Sequence, residues 1–185
     1  MRALIPAAAF SLAAFAAPAA AMTIHAPDFA GGRTVPTVNV FNDGGCTGEN
    51  QSPAISWSGE PKGTQSFAVT VFDPDAPTGS GWWHWTVVNI PADVHSLPAG
   101  AGDAKATTLP AGAVQGRTDF GFSHYGGPCP PVGDKAHRYI VTVFAEKVAK
   151  LPDLDANSSG ALVGFVLHFN TLAEAHSMGR YGRAK

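Results

Sequence analysis

Three junctions between loops and β-like runs carry acidic, basic and hydroxyl side chains of the kind that bind a small polar ligand. Asp73 and Asp75 lie in the segment DPDAP, directly after one such run. His84 lies near the start of the next run, and His137 and Tyr139 begin another. If these strands are neighbours, the polar groups converge on one cavity. A carboxylate beside a histidine raises the pKa of the ring and favours its cationic form, so the pattern predicts a site for phosphate or carboxylate.

The loop before the last of these runs is rich in proline and glycine. It reads YGGPCPPVGDKAH from Tyr125 to His137. Proline fixes the backbone, and backbone N–H groups left free around glycines favour anions. We therefore expect the loop to present Tyr125 and Cys129 rigidly beside the site. The alternative is that Asp73 and Asp75 only cap turns and that the histidines are ordinary core residues.

Hydrolytic and metal chemistry are weaker interpretations of the same side chains. The chain has no G-x-S-x-G nucleophile motif, although Cys129 could act as a nucleophile with His84 or His137 as its base. Zinc-ligand residue types are present, but neither H-E-x-x-H nor C-x-x-C occurs. The sequence therefore predicts no catalytic residue, no metal and no cofactor. A weak hydrolase that uses Cys129 or a His/Asp pair is kept as an alternative.

The first 21 residues are typical of a secretory signal. A charged Met1-Arg2 precedes an alanine-rich apolar run that ends in Ala19-Ala20-Ala21. This predicts cleavage after Ala21 and export of residues 22–185 to the periplasm or outside the cell. A transmembrane anchor is disfavoured, because the run contains Pro6 and Pro18 and is only weakly hydrophobic.

Length, charge and cysteine content limit the remaining possibilities. The 185 residues, 45% of them hydrophobic, are enough for one domain with one core. Net charge is −2 with no run of basic residues, which argues against nucleic acid as a partner. In an oxidising compartment Cys46 and Cys129 can pair, but the spacing leaves a disulfide and two free thiols equally open.

Hydrophobic patterns predict several strands and one late helix. The helix is predicted from Ala161 to His176, with Ser158 or Ser159 as its N-cap, because apolar residues recur there at helical spacing. Residues 91–118 are predicted to form a long loop. We therefore expect a mostly-β sandwich with a C-terminal helix. The predicted strands are 34–41, 55–57, 67–72, 82–90 and 137–145.

Six motifs extend over almost the whole predicted mature chain. They are GC-x-G-x-N-x-SP at 45–53, DPDAP at 73–77, W-x-H-W at 82–85, GAVQGRTDFG at 112–121, YGGPCPPVGDKAHRY at 125–139 and ALVGF at 161–165. With them the chain resembles the phosphatidylethanolamine-binding protein family, and in particular its bacterial Raf-kinase-inhibitor-like branch.

The resemblance implies a compact β-sandwich with a small anion-binding pocket at one end. It implies that Asp73 orients a histidine, that His84 holds the anion, and that His137 and Tyr139 complete the lining. The loops that shape the pocket match at Asp75, Pro77, Tyr125, Gly127, Cys129, Pro130 and Pro131.

The resemblance implies non-enzymatic binding of a small anion or phosphorylated molecule, such as a phospholipid head group. It also implies that the protein modulates the activity of other proteins. The alternative is an interaction protein that inhibits a kinase, a protease or a host factor. Kinase inhibition is not carried over, because an exported bacterial protein would not meet a Raf-type kinase. The pattern predicts no transmembrane segment in the mature chain and does not specify an oligomeric state.

Overall fold

The computed structural model describes residues 21–185. The predicted signal sequence covers residues 1–21, and all of it except Ala21 lies outside the described residues. Within the described range, no helix is both long and apolar enough to cross a membrane.

The described residues form a two-sheet β fold with one α-helix, which confirms the predicted class. All strand pairs are antiparallel, with a small sheet in the order β1-β2-β5 and a large sheet in the order β6-β4-β3-β7-β8. Short 3-10 turns occur at Pro27–Phe29 and Thr37–Asn39. The elements are β1 (Thr23–His25), β2 (Ile55–Ser58), β3 (Ser66–Asp73), β4 (Trp82–Pro91), β5 (Ser96–Leu97), β6 (Val114–Gln115), β7 (His137–Glu146), α1 (Gly160–Asn170) and β8 (Thr171–Tyr181).

The main core lies between the two sheets. Alternate residues of β3 and β7 point inward, as their β-branched and aromatic composition predicts, and Phe67 packs on Trp57 of the small sheet. On the opposite face of the large sheet, α1 buries Val163 and Leu167. The large sheet is therefore covered on its inner face and partly on its outer face.

The predicted helix is correct at its start and wrong at its end. Ser159 caps α1 by accepting a hydrogen bond from the N–H of Leu162, but the helix stops at Asn170. Residues 171–181 instead pair with the full length of β7. The sequence LAEAH has good helical propensity, but the edge of β7 that does not pair with β3 offers a long ladder of backbone hydrogen bonds, and this tertiary pairing prevails.

Two other expectations are corrected. Residues 34–41 contain a 3-10 turn and only an isolated bridge from Thr34 to Arg180, because Pro36 interrupts the run and removes a ladder donor. Residues 91–118 are mostly loop but contribute the short strands β5 and β6.

Candidate functional site

One end of the large sheet contains a cleft of about 240 Å³. Because neighbouring strands are antiparallel, β3 ends at this edge where β4 and β7 begin. The predicted junctions therefore do converge. The cleft is lined by Asp73, Ala76, Pro77, Thr78, Trp82, His84, Phe120, Cys129, Pro130, Pro131, His137 and Tyr139.

A β-bulge places His84 in the cleft. Phe72 pairs with Trp83, whereas the preceding residue Val71 pairs with Trp85, so His84 is an extra residue on β4. A bulge re-aims the side chain of the extra residue and bends the strand, which is why bulges recur beside functional sites. The position of His84 thus depends on cross-strand register, which no local pattern in the sequence shows.

The imidazole of His84 is buried and hydrogen-bonded on one side. Its Nδ1 lies 2.6 Å from the carbonyl oxygen of Gly126, and the N–H of Gly126 donates to the carbonyl of His84 at 2.9 Å. Since a carbonyl oxygen only accepts, Nδ1 carries a proton. Burial lowers the pKa of His84 to about 4, and the nearby Asp73 carboxylate only partly opposes this effect. The expectation of a cationic His84 is wrong, because desolvation outweighs the carboxylate.

The histidine that Asp73 orients is His137. Asp73 Oδ2 accepts a hydrogen bond from His137 Nδ1 at 2.7 Å, and both side chains are almost fully buried. Asp73 Oδ1 accepts the backbone N–H of Asp75 at 2.8 Å. On its other side, His137 Nε2 lies 3.5 Å from the carboxylate of Asp134. The ring of His137 is therefore held between two carboxylates, which fix its orientation.

The hydroxyl of Tyr139 is a buried polar group of the site that lacks a hydrogen-bond partner among the described residues. The residue is fully buried, lines the cleft, and its hydroxyl has no hydrogen-bond partner among residues 21–185. Burial, and secondarily the negative charge of Asp73, raises the pKa of Tyr139, so the hydroxyl keeps its proton. A buried donor without a partner is costly and calls for an explanation, and a bound acceptor would supply one.

Apolar residues form most of the walls of the cleft, and four lining residues were not predicted as site residues: Ala76, Thr78, Trp82 and Phe120. Phe120 packs edge-on against both Trp82 and His84, with ring centroids 5.3 and 5.4 Å apart. Its loop is fixed by Asp119, which accepts the backbone N–H of Trp83 at 2.8 Å. The motif GAVQGRTDFG contains Phe120 and was the only sequence signal for it. Ala76 and Thr78, which follow Asp75 in the acidic loop, also line the cleft.

The proline-rich loop closes the cleft opposite the sheet and is tied down covalently. Cys46 and Cys129 form a disulfide, which decides the alternative that the sequence left open. Arg183 reinforces the attachment by donating to the carbonyls of Gly45 and Pro130 at 2.7 and 3.3 Å. Because Cys129 has no free thiol in this state, it cannot serve as the nucleophile of the hydrolase alternative.

Three of the predicted site residues support the cleft from behind. Asp75 binds the backbone N–H and the guanidinium of Arg138, and this pairing lowers the pKa of Asp75 to about 2. The buried hydroxyl of Tyr125 donates to the carbonyl of Asn39 at 2.8 Å. Gly127 approaches the backbone at Asn39 so closely that a side chain would collide with it.

The described residues contain no group of three or more histidine, cysteine, aspartate or glutamate side chains arranged to hold a metal ion. His124, a zinc-ligand type by sequence, stacks on Phe122 with ring centroids 3.8 Å apart and does not line the cleft. The polar floor of the cleft thus consists of Asp73, His84, His137 and Tyr139.

Comparison with known proteins identifies the family of the chain. The family model described as phosphatidylethanolamine-binding protein matches residues 25–182. UPF0098 protein YbcL of Escherichia coli (strain K12) is 54% identical over 175 residues, or 95% of each chain. UPF0098 protein YbhB of the same strain is 49% identical over 154 residues, or 83% of this chain and 96% of that protein.

A solved structure is also similar over most of the chain. The crystal structure of E. coli YbcL, described as a new member of the mammalian PEBP family, has a TM-score of 0.85 and 55% sequence identity. The match covers 88% of this chain and 99% of that chain. The names of these relatives state no reaction.

Proposed function

The chain belongs to the phosphatidylethanolamine-binding protein family, and on that premise we propose that it is a non-enzymatic binding protein whose cleft takes a small oxyanion, free or as part of a phosphorylated molecule. The observation that carries this proposal is the buried Tyr139 hydroxyl, which lines the cleft without a partner among the described residues. An oxyanion offers several acceptors to such a donor.

The size and lining of the cleft fit a small head group better than a large molecule. Sites for drug-sized ligands occupy roughly 300 to 1,000 Å³, and this cleft is smaller, at about 240 Å³. Its floor is polar, whereas Trp82, Phe120 and the three prolines make the walls apolar. A phosphate monoester with a short apolar substituent matches both parts, because the phosphate reaches the floor and the substituent contacts the walls.

Within this proposal the residues have different roles. Tyr139 donates a hydrogen bond from its hydroxyl to an anion oxygen. Asp73 does not attack the ligand, because its carboxylate holds the His137 ring and the N–H of Asp75. His137 offers Nε2 from a ring of fixed orientation. In this proposal Asp73 positions the ring of His137, while His137 and Tyr139 contact the anion.

Isothermal titration with phosphoethanolamine and with inorganic phosphate tests the proposal. We expect millimolar or tighter binding, weakened about fivefold to tenfold by Tyr139→Phe because one hydrogen bond of about 1 kcal/mol is lost. Tyr125→Phe is the matched control, since that hydroxyl is bonded outside the cleft. If neither ligand binds at millimolar concentration, the proposal fails.

Inhibition of a kinase, a protease or a host factor is the competing function, and it makes a different prediction. It requires a protein partner, which the cleft does not. Affinity capture from periplasmic extract, followed by a functional assay on any captured protein, separates the two. A partner that binds equally well when the cleft is filled with phosphoethanolamine would favour the inhibitor function.

We also propose that the protein is exported. The disulfide supports this, because such bonds persist mainly in oxidising compartments. Mass spectrometry of protein recovered from the periplasmic fraction of a bacterial host should show a chain that begins at Met22. Recovery of the uncleaved chain from the cytoplasm would contradict export.

A further inference from the structure

We propose that the cleft selects oxyacids that still carry a proton, so that a phosphate monoester binds as its monoanion while its dianion, phosphodiesters and sulfate are disfavoured. This inference rests on the proposed function and concerns which form of the anion the same site accepts.

The ring of His84 has a fixed orientation in the cleft. Nδ1 is committed as a donor to the carbonyl of Gly126, so in the neutral ring Nε2 carries a lone pair. No hydrogen bond among residues 21–185 uses Nε2, while the residue lines the cleft. His84 therefore presents an acceptor to the ligand. An oxygen without a hydrogen would meet that lone pair with another lone pair.

The charged groups around His84 are acidic. The groups that face it are Asp73 at the end of β3, His137 and Tyr139 on β7, and Asp119 in the loop that carries Phe120. Both acidic groups add negative charge, and no lysine or arginine lines the cleft in the described structure. Burial holds the pKa of His84 near 4, so its ring stays neutral above about pH 5.

These features fit a monoanion and oppose a dianion. The acidic hydrogen of a monoester can be donated to Nε2 of His84. The other oxygens remain free to accept the hydroxyl of Tyr139. A dianion has no hydrogen for Nε2 and adds a second negative charge next to the buried carboxylate of Asp73. The site thus combines an attractive contact for the protonated form with a repulsive one for the deprotonated form, which is how specificity is commonly built.

The test is a pH series of titrations with methyl phosphate, sulfate and dimethyl phosphate. The second pKa of a phosphate monoester is about 6, so between pH 5.5 and pH 8 its monoanion fraction falls about 75-fold. We expect the apparent affinity for methyl phosphate to fall by a similar factor over this range. Sulfate and dimethyl phosphate carry no proton, and at pH 5.5 we expect each to bind at least tenfold more weakly than methyl phosphate.

His84→Asn is the matched variant. Its amide can still donate to the carbonyl of Gly126, but it lacks an acceptor at the position of Nε2. We expect the preference for methyl phosphate over sulfate to shrink to less than threefold.

The outcomes separate this inference from the function on which it rests. Equal, pH-independent binding of methyl phosphate and sulfate would leave anion binding standing and overturn the selection of a protonated form. Tighter binding of methyl phosphate at pH 8 than at pH 5.5 would do the same. Failure of all three probes to bind at any pH would overturn both. The wild-type series decides the matter even if His84→Asn does not fold.

Discussion

The disulfide behind the cleft should provide a large part of the stability of the fold. Cys46 and Cys129 are separated by 83 residues, and both lie in loops rather than in paired strands. In the loop-closure treatment, cross-linking a segment of this length lowers the entropy of the unfolded chain enough to stabilise the native state by about 4 to 5 kcal/mol. Small domains are typically stable by only about 5 to 15 kcal/mol, so removal of the bridge should be severe.

Equilibrium unfolding in urea measures this contribution. The double variant Cys46→Ala/Cys129→Ala and the reduced wild type should each be about 4 to 5 kcal/mol less stable than the oxidised wild type, and should agree with each other within about 1 kcal/mol. Phosphoethanolamine affinity should fall less than tenfold, because Arg183 still holds the loop at Pro130. A loss below about 1 kcal/mol, with the bond verified by mass in the oxidised sample, would refute the reasoning.

Three further predictions test particular contacts. Tyr139→Phe should leave the free energy of unfolding in urea unchanged or higher, because it removes a buried hydroxyl that has no partner among the described residues. Tyr125→Phe should lower that free energy by about 1 to 3 kcal/mol, because it removes the hydrogen bond to Asn39. Equal losses in the two variants would contradict this prediction. Burial raises the pKa of Glu146 from 4.5 to about 7, so its stabilising contribution is full below about pH 4.5 and is lost as the pH rises to about 7. The free energy of unfolding of Glu146→Gln, measured in urea, should therefore rise relative to that of the wild type by up to roughly 3 kcal/mol between pH 4 and pH 8. A difference between the two proteins that does not change with pH would contradict this prediction. On α1, Leu167→Ala should cost about 2 to 5 kcal/mol because the side chain is buried. Phe165→Ala should stay within about 0.5 kcal/mol, since its side chain is 63% exposed; the reverse order of these two costs would show that the helix packs by its other face.

The sequence was sufficient to predict the paired strands that form the site. The runs at 67–72, 82–90 and 137–145 are β-branched and aromatic, and they became β3, β4 and β7 with nearly the predicted bounds. Polar residues at the ends of these strands were expected to meet, and the antiparallel order brings four of them to the floor of one cleft. Composition and strand polarity carry this information locally.

What could not be predicted depends on contacts between distant segments. The helical propensity of residues 171–176 gave no sign of β8, because that strand exists only through its pairing with β7. The bulge at His84 likewise depends on how β4 aligns with β3. The sequence also led to a wrong prediction for the charge of His84. The effect of a nearby carboxylate on its pKa can be anticipated from the sequence, but the extent of its burial depends on distant segments.

The exposed face of α1 shows the same limit. Helical spacing picked out Leu162, Phe165 and Phe169, which are more than two-fifths exposed, while the buried face consists of Gly160, Val163 and Leu167. Because the helix is apolar on more than one side, periodicity alone did not identify which side meets the sheet.

The most direct test of the account is a crystal structure of the protein soaked in phosphoethanolamine at pH 5.5. We expect the phosphate to lie in the cleft, with one oxygen within about 3 Å of the Tyr139 hydroxyl and another within about 3 Å of His84 Nε2. A cleft filled only by water, with the phosphate bound at another surface or absent, would contradict it.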